Sequence, residues 1–221
     1  MNKCRVNPNK AFTLIELLVV IAIIAALAAM IFPVTAAVQR AKVRSKARAE
    51  LSQVATWIEA YKVKMGHYPP DNPNRLGPSP LFFELAGTTL QSGAFRTLDG
   101  SGVIGPVPAQ VLTTFGVSGF VNSSRGASED GPNAKKFIDK LSAGQTGEIA
   151  NDVRVLTSTV RWPDTSGNWF LVPGLNPIRY NSSNPTNNPG SYDLWIDVVV
   201  SGKTNRISNW SKVPLFVGTR D

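Results

Sequence analysis

Few side chains in this chain could carry chemistry. Among 221 residues there is one histidine, His67, and one cysteine, Cys4. A Ser-His-Asp triad would have to be built on His67, which stands beside a predicted helix end in a Pro turn and reads as structural. Removal of the basic N-terminal residues would take Cys4 with it, and with it thiol catalysis, disulfides and cysteine zinc sites. The stretch "DVVVSGKT" (Asp197 to Thr204) copies the end of a phosphate-binding loop. Asp197, however, stands where that loop needs Gly, and the following "NRISNW" is a poor helix start. Asp193 and Asp197 fall on one face of a predicted strand about 13 Å apart, too far for a carboxylate pair acting on one bond. No spacing suggests a Ser-Lys dyad either. The expectation is a protein that is not an enzyme, with no catalytic residue.

One carboxylate does demand a role. Glu16 lies two residues into the run "LIELLVVIAIIAALAAMIFP", where a charge at the centre of a spanning helix costs roughly 2.5–3.5 kcal/mol. From Leu17 to Val34 there is no polar side chain. As a helix this stretch is about 27 Å long, close to the roughly 30 Å of a bilayer core. Lys3, Arg5 and Lys10 precede it; Arg40, Lys42, Arg44, Lys46 and Arg48 follow. Three readings compete. A secretory signal peptide would be cut at Ala26-Leu27-Ala28. A plain anchor would stay uncut. A precursor clipped between Ala11 and Phe12 would keep the whole apolar helix as an assembly device. Only the third gives Glu16 a role. The cut creates an α-amine at Phe12, with a pKa of about 7.7–8.0, that stays cationic if methylated. In a bundle of identical helices, one subunit's Glu16 can pair with the neighbour's amine, which offsets the burial of both charges and fixes the axial register.

"AFTLIELLVVIAIIAALAAMIFP" resembles the N-terminal signature of the type IV pilin and type II secretion pseudopilin superfamily. The match includes a small residue before the cut (Ala11, where the family usually has Gly), Phe12 at mature position one, Glu16 at five and Pro33 at twenty-two. The resemblance implies cleavage and N-methylation at Ala11 and Phe12 by a prepilin peptidase, and assembly through Phe12, Glu16 and Pro33. It also implies a kink at Pro33 with helix continuing beyond it. The implied partners are copies of itself and other pseudopilins, an inner-membrane assembly platform and membrane lipid. The implied location is the bacterial inner membrane, single pass, with the head in the periplasm. The positive-inside rule points the other way, with three cations before the span and five after. Large following domains translocate largely regardless of that rule, and the leader must face a cytoplasmic peptidase.

These residues need a long helix to position them. Past Pro33 no Gly or Pro occurs until Gly66, and Ala47, Leu51, Val54, Ile58, Tyr61 and Met65 recur at intervals of four and three. That is one face of an amphipathic helix, expected to pack on a sheet. With under three heptads, packing within the subunit is preferred over a coiled-coil seam. Gly66 is the expected C-cap, and Pro69-Pro70 prevents resumption. From Thr13 to Met65 the helix would be about 80 Å long. The five alternating cations from Arg40 to Arg48 encircle it, a pattern suited to phospholipid headgroups rather than nucleic acid.

The rest is loop-rich, with 18 Gly and 16 Pro. Asp71 to Gly147 reads as irregular, apart from a short helix at "PLFFELAG". Strand-like runs start at Val153, Asn168, Tyr192 and Val213 and argue for an antiparallel sheet. "SSNPTNNPG" reads as an exposed loop, and the five tryptophans as packing residues. "YKVKMGHYPPDN" and "YDLWIDVVVSGKTNRISNW" resemble segments of the major, G-type pseudopilins, whose C-terminal loop commonly holds calcium. Here Lys203 and Arg206 occupy that loop and Asp197 is its last carboxylate before Asp221. Calcium wants several oxygen ligands, so no cofactor and no metal is carried over; hydrogen bonds or Arg206 itself would stabilise the loop.

The expected fold class is α+β and pilin-like, a long N-terminal α-helix with a membrane-spanning first half packed on a C-terminal antiparallel β-sheet head. The expected divisions are a leader at 1–11, the helix at 12–65 with a span at about 14–34, and a periplasmic head at 66–221. The expected function is a structural subunit of a type II secretion pseudopilus, serving protein transport. A type IV pilus subunit and a membrane-anchored binding protein are the alternatives.

Overall fold

The computed structural model describes residues 12–74, 77–125, 133–149, 153–163 and 172–219, without the side chains of 30–36 and 125. Ala11, Cys4 and the rest of the leader, Asp130-Gly131, whose residue types signal a turn in the sequence, Trp169 and most of the strand expected from Asn168 lie outside the described residues. The chain divides into two compact units, Met1–Lys42 and Val43–Asp221.

In the first unit, Phe12 and Thr13 lead into helix α1 (Leu14–Met65), whose helical backbone continues through Pro33. Continuation past Pro33 is what the family resemblance implies. Every residue from Phe12 to Leu27 is exposed, and Phe12 retains 78% of its accessible surface. Among the described residues no helix is long and apolar enough to cross a membrane. The side chains described in the apolar stretch end at Ala29, short of the Leu17-to-Val34 run read from the sequence.

The second unit is built around the C-terminal part of α1. Ala47, Leu51, Val54, Ile58 and Tyr61 are buried and Met65 is half-buried, as the four-three spacing predicts. The helix stops at Gly66, whose φ of +84° favours glycine and whose N–H reaches the Lys62 carbonyl at 2.8 Å. Helix α2 (Leu81–Ala86) follows, wholly buried.

The region expected to be irregular instead holds much of the head's structure. It contains β1 (Thr88–Gln91), β2 (Ala94–Thr97), β3 (Val103–Ile104), α3 (Ala109–Phe115), β4 (Ser123–Arg125) and β5 (Thr146–Ile149). The first four strands form a sheet in the order β3-β2-β1-β4, with β1 and β4 parallel. These strands have two to four residues each, too short to show an alternating pattern. Phe83, Phe115 and Phe120 make the aromatic packing beneath them, with Phe83 and Phe120 stacked at 4.9 Å.

β5 pairs with β6 (Val153–Leu156). The last sheet is antiparallel, in the order β10-β9-β8-β7. It comprises β7 (Arg179–Asn181), β8 (Asp193–Val200), β9 (Lys203–Ser208) and β10 (Leu215–Thr219). On β8, Leu194, Ile196, Val198 and Val200 alternate into the core. They share one apolar cluster with the α1 stripe and with Ile207 of β9. Ser201 and Gly202, at φ of 52° and 71°, form the two-residue turn between β8 and β9. The "SGKT" stretch is thus a hairpin with a strand, not a helix, after it. The architecture is α+β, an N-terminal helix followed by largely antiparallel sheets, consistent with a pilin-like fold.

Candidate functional site

The start of α1 carries a reciprocal cap. Thr13 precedes the first helical turn, where backbone N–H groups have no partner within the helix. The Thr13 backbone N–H and hydroxyl donate to Glu16 Oε2 at 2.8 and 2.7 Å, and the Glu16 N–H reaches the Thr13 hydroxyl oxygen at 3.3 Å. This is a capping box, Thr-x-x-Glu, and the pattern was legible in "TLIE". It corrects the expectation that Glu16 acquires a role only after cleavage, because the carboxylate already closes the helix start in a single chain. Ala11 lies outside the described residues, Phe12 is exposed immediately before the cap, and Pro33 is placed on α1 by its backbone alone.

The buried carboxylates of the head are satisfied by hydrogen-bond donors, those of Glu50, Glu84 and Asp71 distant in sequence. Glu50 on α1 accepts from the hydroxyls of Ser158 and Thr159 and from the Thr159 N–H at 3.2 Å. Glu84 on α2, 1% exposed, accepts from the Val121 and Asn122 N–H groups at 2.8 and 3.0 Å and from the Tyr61 hydroxyl at 3.0 Å. Burial pushes the Glu84 carboxyl above the usual carboxylate range, against the pull of those donors. Asp71 holds the N–H groups of Ser182 and Ser183 at 2.9 and 3.1 Å. Asp193 collects the N–H groups of Thr186, Asn187 and Asn188 at 2.9, 3.0 and 2.9 Å, so the exposed "SSNPTNNPG" loop is anchored from both ends. The spacing of these acids along the chain carried no signal of their partners.

The C-terminal motif is held by charge pairing. Arg206 grips Asp197 with two parallel bonds, Nε to Oδ1 at 2.8 Å and Nη2 to Oδ2 at 3.0 Å. Arg179 approaches the same carboxylate at 3.4 Å. The Asn209 side chain accepts from the Leu194 N–H at 3.0 Å and donates to the Tyr192 carbonyl at 2.9 Å, closing the loop after β9 back onto the start of β8. Trp210 meets Trp195 edge-on at 5.9 Å. Among the described residues no group of three or more His, Cys, Asp or Glu is placed to hold a metal ion. His67, exposed, contacts the Tyr68 carbonyl at 2.9 Å and the edge of Tyr61.

Of the five cations expected at lipid headgroups, Arg44 and Arg48 are engaged in the head. Arg44 Nη2 donates to Asn205 Oδ1 at 3.2 Å and Arg48 Nη2 to the Ser211 carbonyl at 3.3 Å. Lys42 and Lys46 are exposed. Residues four apart share a helix face, so Arg44 and Arg48 turn together toward the β9–β10 region.

Comparison with known proteins finds a match in this N-terminal segment. Residues 6–32 match the family model of the prokaryotic N-terminal methylation motif, which takes in Phe12, Thr13 and Glu16. The match supports a type IV pilin-like or pseudopilin protein, processed by a prepilin peptidase and assembled into a pilin-like polymer. No curated protein and no solved structure matches the chain.

Proposed function

We propose that this chain is a structural subunit of a type II secretion pseudopilus, of the major, G-type branch, and has no catalytic role of its own. The observation that carries the reading is an apolar helical stretch, exposed from Phe12 to Leu27, whose one carboxylate, Glu16, sits within a methylation motif. Such a surface needs cover. Residues about 14–34 span the inner membrane before assembly, with the head in the periplasm, and pack against the same residues of neighbouring subunits afterwards. Cleavage between Ala11 and Phe12 leaves Thr13, and so the cap, in place. It adds a cationic amine that a neighbour's Glu16 can reach, and Pro33 shapes the helix within the bundle. Polymer growth then pushes cargo outward. The head's C-terminal motif and the lack of cysteine after Cys4 favour the secretion branch over an adhesive pilus subunit.

Two variants separate the cap from the pairing. Glu16→Gln keeps an acceptor at the third helical position, where Gln also serves in capping boxes, but removes the charge. Glu16→Ala removes both. Membrane insertion is expected in both variants, and filaments in neither. Filaments in Glu16→Gln at the wild-type level would show that the charge pair is not what registers the subunits. Intact mass and N-terminal sequencing of membrane-derived protein should give a start at methylated Phe12. A start after Ala28 or an uncut Met1 would overturn the assembly reading.

A further inference from the structure

The last strand of the last sheet is apolar and uncovered. Val213, Leu215, Phe216 and Val217 are all exposed, Phe216 by 62%. Successive side chains of a strand point to opposite faces, so exposure at three consecutive positions leaves both faces of β10 open. β10 also ends the sheet order, and among the described residues no strand pairs with its far edge. Native proteins usually blunt such an edge, and an apolar patch left on one marks an interaction surface.

The charges around the patch indicate what covers it. From Val198 to Arg220 the chain has four cations and no carboxylate. Arg206 is paired with Asp197. Lys203, opposite Thr219, and Lys212, next to Val213, are exposed and in no ion pair among the described residues. The patch also adjoins the point where the chain enters the second unit. Asn205 lies opposite Phe216 and accepts from Arg44 at 3.2 Å, and the Ser211 carbonyl accepts from Arg48. Val43, which opens that unit, is nine residues past Val34, the end of the apolar run.

We propose that β10 and its flanking lysines are a docking surface for an anionic lipid bilayer, with the strand lying in the headgroup layer. Apolar side chains beside lysines are what an interfacial segment carries, and anionic headgroups attract the lysines. The headgroup layer also supplies water to the unpaired backbone groups of the edge, which the hydrocarbon core would not. A second copy meeting β10 edge to edge would gather four lysines at one interface, like charge near like. The inference rests on the proposed membrane-spanning stage and gives the head a resting place there before assembly.

The test uses the full chain with Cys4→Ser and one added cysteine carrying an environment-sensitive fluorophore. It is reconstituted in vesicles of phosphatidylethanolamine and phosphatidylglycerol, or of phosphatidylcholine alone. The reporters are Thr219→Cys at the end of β10, Val63→Cys, exposed on α1 about 22 Å along the helix from Arg48, and Leu18→Cys in the apolar run. Lipids spin-labelled near the headgroup should quench the Thr219 reporter in the anionic vesicles and leave the Val63 reporter bright. Deep spin labels should quench the Leu18 reporter in both vesicles. In phosphatidylcholine, or with Lys203→Glu and Lys212→Glu together, quenching at Thr219 should fall about threefold. Phe216→Ser should lower it by about half. These side chains are exposed, so the near-UV circular dichroism of the head and the Leu18 quenching should not change.

A quenched Leu18 reporter with an untouched Thr219 reporter would overturn the docking surface alone. A Leu18 reporter out of reach of lipid would overturn the membrane stage and the docking surface together. Equal quenching at Val63 and Thr219 would overturn the proposal as unspecific contact of the head with lipid. Shielding of Thr219 that ignores lipid spin labels and grows with protein density would overturn it in favour of a second copy.

Discussion

The two stretches of α1 use apolar side chains in opposite ways. From Phe12 to Leu27 every residue is exposed, and the carboxylate Glu16 is satisfied by Thr13, three positions away. From Ala47 to Tyr61 the apolar residues form a buried stripe, and the carboxylate Glu50 is satisfied by Ser158 and Thr159, over a hundred residues away. One stretch has its cover and its polar partners built into the same chain. The other has a local cap among the described residues and an exposed apolar surface, for which the proposed function supplies membrane or further copies as cover. The difference teaches where folding ends and assembly begins.

The strongest way to break that comparison is to remove buried volume from the second stretch. Ile58 is fully buried, and Ile58→Ala should lower the stability of the head by about 2–5 kcal/mol, through lost burial and the cavity left behind. Thermal unfolding in detergent, followed by near-UV circular dichroism, reads this directly. An effect under about 1 kcal/mol would mean that the stripe is not the core it looks to be. Next comes Glu50→Ala, which strands the Ser158 and Thr159 donors in a buried site and should cost about 1–3 kcal/mol by the same measurement. A neutral result would place solvent at those donors.

How much of this was legible in the sequence follows the range of the interactions. The α1 stripe, the Gly66 cap and β8 were readable, because each is a periodic pattern or a local backbone requirement. The Thr13–Glu16 cap was readable as well, but the charge of Glu16 in an apolar run drew attention to distant partners instead. The sheet of β1 to β4 was not readable, since strands such as Val103–Ile104 take their identity from pairing, not from alternation. The partners of Glu50, Glu84 and Asp71 lie 23 to 112 positions away. No spacing rule reaches that far.

Glu84 sharpens the comparison through pH. Because burial raises its folded-state value, the folded chain holds this proton more tightly than the unfolded one. Its contribution to stability is therefore fully present below the ordinary glutamate value and is lost as pH rises through the folded value. Glu84→Gln should flatten that part of the curve of melting temperature against pH. An unchanged curve would mean that the carboxylate is ionised in both states across the range.

The smallest expected effect bears on the first stretch. Leu18 is more than half exposed, so Leu18→Ala removes no contact that folding has made and should leave the head's unfolding within about 0.5 kcal/mol of wild type. The same substitution removes apolar area from the segment proposed to enter the bilayer, so the fraction of protein in carbonate-washed membranes should fall slightly while the melt does not move. A loss of head stability as large as that of Ile58→Ala would show that the first stretch is covered within its own chain, and the line drawn here between folded and waiting surface would have to be moved.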